Sequence, residues 1–318
     1  MNITGTFIDL LSGDIPAMNW GGKQWDREFA MMKSVGINTL ILLRSSYKEW
    51  LCYRSEYMHK IAGCINPPVD SLKMLLQLAE KHGLNLYVGT YNSYHDWLTA
   101  AYNVDYEAEL IMRSVDEIWR NYGDSPAFKG WYMTHEISRK LSFRIVELFQ
   151  KVAPHCKKIS GGLPVLMSPG MDGIKDGNKK DRRLAVTLQE HREDWDWIMG
   201  ELSGMIDIIA FQDGHVDFKE LESFLEVNSV LAAKHKIECW TNAETFDRDI
   251  SSDTSFTPIR WDKLIFKLDA AKRTGHSKAI TFDFTHFLSP YSCYPQAKYL
   301  LERYCEYYGI NLKKEELE

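Results

Sequence analysis

Eight short apolar runs alternate along this chain with amphipathic segments of helical period, and that order limits the possible folds more than any other feature. The runs fall at 3–9, 38–43, 85–90, 130–135, 162–168, 206–211, 237–241 and 279–284. Most are rich in Val, Ile, Leu or aromatic residues without strict polar alternation, the texture of parallel strands covered on both faces. The intervening and final segments predict helices near 24–35, 68–82, 105–122, 141–153, 192–202, 217–235, 258–274 and 294–308. Proline supports two helix starts, in Pro67-Pro68-Val69-Asp70 before the second helix and in Thr257-Pro258 before the seventh, since proline is tolerated in a first turn. Gly36, Gly83 and Gly275 follow helix ends carrying Lys, His or Arg and lie a few residues before the next run, where a C-terminal cap belongs.

Eight β-then-α units in succession predict an α/β protein built as a single (β/α)8 TIM barrel, with residues 1–318 as one domain. A length of 318 residues is long for an ordinary domain and normal for such a barrel. A doubly wound sheet would carry a glycine-rich phosphate loop after its first strand, and the sequence has none there. The polar loop 171–183, with Gly173, Gly177 and a Lys/Asp cluster, reads as an excursion on the rim after the fifth strand, not as a domain boundary.

Composition excludes some functions. The formal charge of −6 argues against a phosphate-backbone binder, so nucleic acid is not an expected partner. No run approaches the roughly 20 apolar residues of a membrane span. As it stands the chain reads as cytoplasmic, or as exported if a signal peptide has been removed. The six cysteines show no CxxC pair and no metal spacing, so they read as free thiols, with Cys52–Cys64 or Cys293–Cys305 as possible bridges in an exported protein. Ten Trp and sixteen Tyr supply core, but flat rings at a rim also suit the C–H faces of sugars.

In barrels of this kind the chemistry comes from the C-terminal strand ends. There the sequence places Asp9 and, in the next loop, Trp20; Arg44; Tyr91, with His95 and Trp97 beyond; His135 and Glu136; Gln212 and Asp213; Trp240, Asn242 and Glu244; and Asp283, Thr285 and His286. Bland roles exist for each. A Glu after a strand can cap the next helix, Asp9 and Asp283 can accept backbone amides, and His95 and His135 can be satisfied buried groups. Trp131 and Trp119 read as core. Two glutamates that end the fourth and seventh strands are harder to dismiss, because paired carboxylates on one rim are the minimum equipment for breaking a glycosidic bond.

At these residues the chain resembles the clan A retaining glycosidase barrels, whose acid/base Glu follows strand four and whose nucleophilic Glu follows strand seven. More closely, Ile3-Thr4-Gly5-Thr6-Phe7, Trp131-Tyr132-Met133-Thr134-His135-Glu136-Ile137, Ala210-Phe211-Gln212-Asp213-Gly214 and Trp240-Thr241-Asn242-Ala243-Glu244-Thr245-Phe246 resemble an uncharacterised bacterial family of glycosidase-like barrels across nearly the whole chain. The resemblance implies Glu136 as acid/base and Glu244 as nucleophile in a retaining hydrolase acting on a carbohydrate, without cofactor or metal. Asp9, Trp20, Arg44, Tyr91, His95, His135, Gln212, Asp213, Trp240, Asn242 and Asp283 would then bind the substrate. One position departs from the clan: His135 stands where Asn usually precedes the acid/base. Two alternatives stay open. One is a divalent-metal sugar isomerase or epimerase gathering Glu136, Glu244, Asp213, His286 or Asp283 around an ion. The other is a non-catalytic carbohydrate-binding barrel that keeps Trp20, Trp97 and Trp240. Oligomeric state is not legible, and the tyrosines at 299, 304, 307 and 308 read as closing the last helix onto the barrel.

Overall fold

Alternation at period two sorts the apolar strand residues into two separate clusters, one inside a closed sheet and one between that sheet and its helices. The computed structural model describes residues 1–13, 15–96, 99, 101–173, 185–248 and 256–312. Its strands β1 (Ile3–Ile8), β2 (Thr39–Leu42), β3 (Asn85–Gly89), β4 (Phe128–Met133), β5 (Val165–Met167), β6 (Ile208–Gln212), β7 (Glu238–Asn242) and β8 (Lys278–Thr281) form one closed, all-parallel barrel. Closure is made where β1 pairs with β8, Thr6 opposite Thr281. The fold is the expected (β/α)8 barrel.

Phe7, Ile41, Tyr87, Tyr132, Leu166, Ala210, Trp240 and Ile280 fill the interior. Their immediate neighbours, among them Ile8, Leu42, Val88, Trp131, Met133 and Phe211, face outward into the helix-covered core. That cover consists of α1 (Gly22–Ser34), α2 (Ser71–His82), α3 (Val104–Tyr122), α4 (Phe143–Ile159), α5 (Leu188–Glu201), α6 (Phe218–His235), α7 (Trp261–Arg273) and α8 (Pro295–Tyr308). Trp119 packs on Phe128 and Trp131 in this layer, as its core reading required.

Helix boundaries follow local chemistry. Asp70, not Pro68, starts α2, by accepting the Lys73 N–H at 2.9 Å. Pro258 ends a short strand instead of opening a helix, and α7 begins at Trp261. Helix α5 starts earlier than its apolar pattern suggests because Thr187 and Glu190 form a reciprocal capping box. Helix α4 runs through exposed Pro154 to Ile159, since buried Val152, Ala153 and Cys156 hold its inner face. Gly36, Gly83 and Gly275 all adopt the left-handed backbone that favours glycine at helix ends.

Several elements have no counterpart in the predicted strands and helices, among them the short helix Glu56–Ile61. Ser46–Tyr47, Trp50–Leu51 and Tyr91–Asn92 make a small sheet, Phe246–Arg248 pairs with Phe256–Pro258, and Phe284–Phe287 forms a helical turn. The six cysteines are free thiols. Tyr304 and Tyr308 do tie α8 to the chain start, through Ile3 N–H and Met1 O, whereas Tyr299 and Tyr307 are exposed. Among the described residues no helix is long and apolar enough to cross a membrane. Trp97 and most of loop 171–183 lie outside the described residues.

Candidate active site

Glu136 and Glu244 line one cleft of about 100 Å³ at the C-terminal mouth of the barrel, together with Phe7, Asp9, Ser12, Leu43, Arg44, Tyr132, Gln212, Asn242, Phe246, Phe256 and Phe282. The two carboxylates sit differently. Glu136 is exposed in the loop after β4, whereas Glu244 is buried two residues past β7.

The segment carrying Glu244 is held from both sides. Its N–H donates to Asp213 Oδ1 at 3.1 Å, and its carbonyl accepts from Lys267 Nζ at 3.1 Å. Asp213 and Lys267 are themselves a buried ion pair at 2.7 Å. Two opposed charges and two main-chain bonds thus fix the backbone that aims the carboxylate. Gly214 forms the floor beneath it, and a Cβ there would stand 1.7 Å from Glu244 Oε2. Only glycine lets the two segments come so close.

Polar groups converge around the pair. Asn242 donates from Nδ2 to Ser168 Oγ at 3.1 Å, while its buried Oδ1 has no hydrogen-bond partner among the described residues. Gln212 Nε2 donates to Ser168 O at 2.7 Å. Arg44 Nη1 donates to Ser12 Oγ at 2.5 Å, and its guanidinium lies over the Tyr47 ring at 4.4 Å. Asp9 spends Oδ1 on the N–H groups of Leu11 and Ser12, both at 3.1 Å. Burial pushes the Tyr132 hydroxyl up, Glu136 adds to that shift, and the Arg44 charge opposes it.

Seven of the residues expected at the substrate lie outside this cleft. Trp240 points into the barrel interior, donating from Nε1 to Glu238 Oε1 at 2.7 Å beneath the Lys278 ammonium; it plugs the opposite end. His135, past the end of β4, turns its ring edge-on to Phe149 of α4. Burial, with a smaller contribution from Arg44, lowers its pKa to about 4 and keeps it neutral. Asp213 is one residue out of phase with Gln212 and serves Glu244 from behind. Asp283 caps the turn Phe284–Phe287 and binds His286 Nδ1 at 2.7 Å. Tyr91 is buried in the outer core beside Cys64, in the small rim sheet. The largely exposed His95 bonds through Nδ1 to buried Glu107 in α3 at 2.5 Å. Trp20 leaves the cleft too, but lines an adjoining cavity.

The sequence reading missed Tyr132, Ser12, Gly214 and Lys267, and the phenylalanines at 7, 246, 256 and 282. Tyr132 lies four residues before Glu136, on the same side of the pleat, which is a usable signal. Lys267 sits in mid-helix and gives none. The set proposed for a metal is divided, with Asp213 against Lys267 and Asp283 against His286; among the described residues no three His, Cys, Asp or Glu side chains are grouped to hold an ion.

The family model described as Domain of unknown function (DUF4434) matches residues 3–294. The crystal structure of a protein from Bacteroides thetaiotaomicron VPI-5482, provisionally named an alpha-L-fucosidase, is 44% identical; 98% of this chain and 94% of that one are covered, with a TM-score of 0.90. The endo-1,4-beta-D-mannanase of Thermotoga petrophila RKU-1 shares the fold at 12% identity and a TM-score of 0.56, over 89% and 88% of the two chains. The intracellular xylanase of Thermoanaerobacterium saccharolyticum JW/SL-YS485 does so at 13% and 0.52, over 87% and 84%. No curated protein matches the chain. The family match runs over nearly the whole length and makes the assignment: the chain belongs to the DUF4434 family.

Proposed function

We propose that this protein is a retaining glycoside hydrolase in which Glu244 is the nucleophile and Glu136 the acid/base. The observation that carries the reading is the shared cleft, where glutamates from the loops after β4 and β7 face one space beside Arg44 and Asn242. In the first step a Glu244 carboxylate oxygen bonds to the anomeric carbon as the glycosidic C–O bond breaks, and Glu136 gives its proton to the departing oxygen. In the second, Glu136 takes a proton from water, the water oxygen bonds to the same carbon, and the Glu244 carboxylate leaves. The contrast in burial suits these roles. A nucleophile is best held rigidly away from bulk water, while an acid/base must meet both the leaving group and the incoming water. Asn242 Oδ1 and the Arg44 guanidinium supply an acceptor and donors for sugar hydroxyls at the reacting centre.

The provisional name of the 44% identical relative makes α-L-fucosides the first substrates to try, followed by β-mannosides and β-xylosides. The test is turnover of 4-nitrophenyl glycosides with the anomer of the first-formed sugar followed by proton NMR. Retention is expected, with Glu244→Gln inactive and Glu136→Ala rescued by azide as the glycosyl azide. An inverted product, or activity surviving in Glu244→Gln, would overturn the assignment.

A further inference from the structure

Beside the cleft lies a second cavity, of about 340 Å³, walled by the loops that follow β1 and β2. The two share Asp9 and Ser12 in their walls, so they adjoin along the rim. Binding sites for small organic ligands commonly measure roughly 300–1,000 Å³. The space at the two glutamates, about 100 Å³, is well below that range, whereas the neighbouring cavity of about 340 Å³ falls within it. We infer that the larger cavity is a second sugar subsite, so that the substrate is an oligosaccharide or glycan with one ring at Glu136 and Glu244 and at least one more between Trp20 and Trp50. This rests on the hydrolase reading above and extends it to the substrate class.

The wall has the mixed chemistry of a carbohydrate surface. Trp50 is 49% exposed although it is a large aromatic residue, and it lines the cavity from the strand Trp50–Leu51. Pairing with Ser46–Tyr47, and the bridge from Trp50 to Ile65, hold that strand in place, so the indole is presented by a braced element. Trp20 is half-buried and braced edge-on by Trp25 at 5.2 Å. Polar groups line the same cavity. Asn66 lines the cavity with Oδ1 committed to the Ser55 N–H at 2.8 Å, which fixes the amide in the wall. At the junction of the cavities, Asp9 Oδ2 is buried and has no hydrogen-bond partner among the described residues. A buried carboxylate oxygen left so is costly unless a ligand hydroxyl completes it. Flat rings for C–H faces and fixed donors and acceptors for hydroxyls select a sugar over a purely apolar aglycone.

Calorimetry on Glu244→Gln, which stops turnover, reads the subsite directly. The probes are three pairs: methyl α-L-fucoside with 2′-fucosyllactose, methyl β-mannoside with mannotriose, and methyl β-xyloside with xylotriose. In at least one pair the trisaccharide is expected to bind ten times tighter or more than its one-ring partner. Adding Trp50→Ala removes that gain and leaves one-ring binding unchanged, and Trp50→Phe restores part of it. Circular dichroism and melting confirm that each variant is folded. Equal binding within all three pairs, or equal losses for long and short ligands in Trp50→Ala, would overturn the subsite. The hydrolase reading is scored separately by wild-type turnover. Trp50-dependent trisaccharide binding without cleavage keeps the subsite and defeats the hydrolase; cleavage without length dependence does the reverse.

Discussion

Replacing Gly214 by alanine adds a single methyl group, yet it is expected to disable the site. The new Cβ would lie 1.7 Å from Glu244 Oε2, 2.7 Å from its Cδ and 3.0 Å from Oε1, whereas ordinary contact begins near 3.4 Å. The carboxylate must therefore retreat by about 1.7 Å, and the backbone cannot follow it because Asp213 and Lys267 hold the Glu244 N–H and carbonyl. A displacement of about 1 Å from the attacking geometry costs about 10²-fold in rate, so kcat on the best aryl glycoside should fall by at least about 10²-fold. The overpacking itself should cost about 1–3 kcal/mol of stability, which leaves the barrel folded. Gly170→Ala is the matched control. It sits on the same rim, bridged to Gln212, and its Cβ would find nothing nearer than Ser138 Cβ at 3.5 Å. The assay is kcat for both variants alongside urea unfolding, with a crystal structure of Gly214→Ala to locate the carboxylate. Wild-type kcat in Gly214→Ala, or an unmoved Glu244, would refute the argument.

Lys267→Met strands the buried Asp213 charge and should cost about 3–5 kcal/mol in urea unfolding; adding Asp213→Asn should return part of it, and a loss below 1 kcal/mol would speak against the pair as the anchor of the Glu244 loop. Trp240→Ala removes interior packing far below the cleft, so stability should fall by about 3–5 kcal/mol while KM stays at the wild-type value; a changed KM would return Trp240 to the substrate. Burial holds His135, His191 and His276 at about 4, below the usual 6.5, so between those values the unfolded chain binds protons that the folded chain refuses. Their contribution is complete above about pH 6.5 and is lost as pH falls toward 4, at up to about 1.4 kcal/mol per unit for each ring. Burial raises Glu28 to about 8, which works in the opposite direction between 4.5 and 8 and offsets about one ring. Urea unfolding at pH 6.5 and 5 should show the net loss, and His276→Gln should flatten it; equal stability at both pH values would contradict the buried neutral rings.

The barrel was legible because burial on both strand faces leaves a compositional trace and because each helix end carries its own punctuation. Asp70 and Gly83 bound α2 by side-chain and backbone chemistry that one sequence displays. The rim additions were not legible. A strand of two residues such as Ser46–Tyr47 has no period to detect, and it forms only because Trp50–Leu51 and Tyr91–Asn92 arrive beside it from different loops. Helix α4 runs past the expected end near 153 to Ile159, since the local penalty of Pro154 is outweighed by the buried face around it.

Within the site, the phase of the pleat accounts for part of which expected residues line the cleft, though Tyr91, in phase with inward Tyr87, lies in the outer core. Phe7, Tyr132, Ala210, Trp240 and Ile280 face inward within their strands. Counting on by twos from these residues reaches Asp9, Glu136, Gln212, Asn242, Glu244 and Phe282, and every one of them lines the cleft. The odd positions His135, Asp213 and Asp283 fall between them, and all three are buried with partners or neighbours behind the barrel wall. A list of polar residues near strand ends mixes the two sets, because position along the chain sets height on the barrel but not direction. Direction follows from parity, and parity needs one interior residue per strand as an anchor. Trp240 shows the remaining limit: its phase is inward, but an indole long enough to reach Glu238 and Lys278 spends itself at the other end of the barrel. Height, phase and side-chain reach together bring Glu136 and Glu244 into one cleft with Asp9, Gln212 and Asn242.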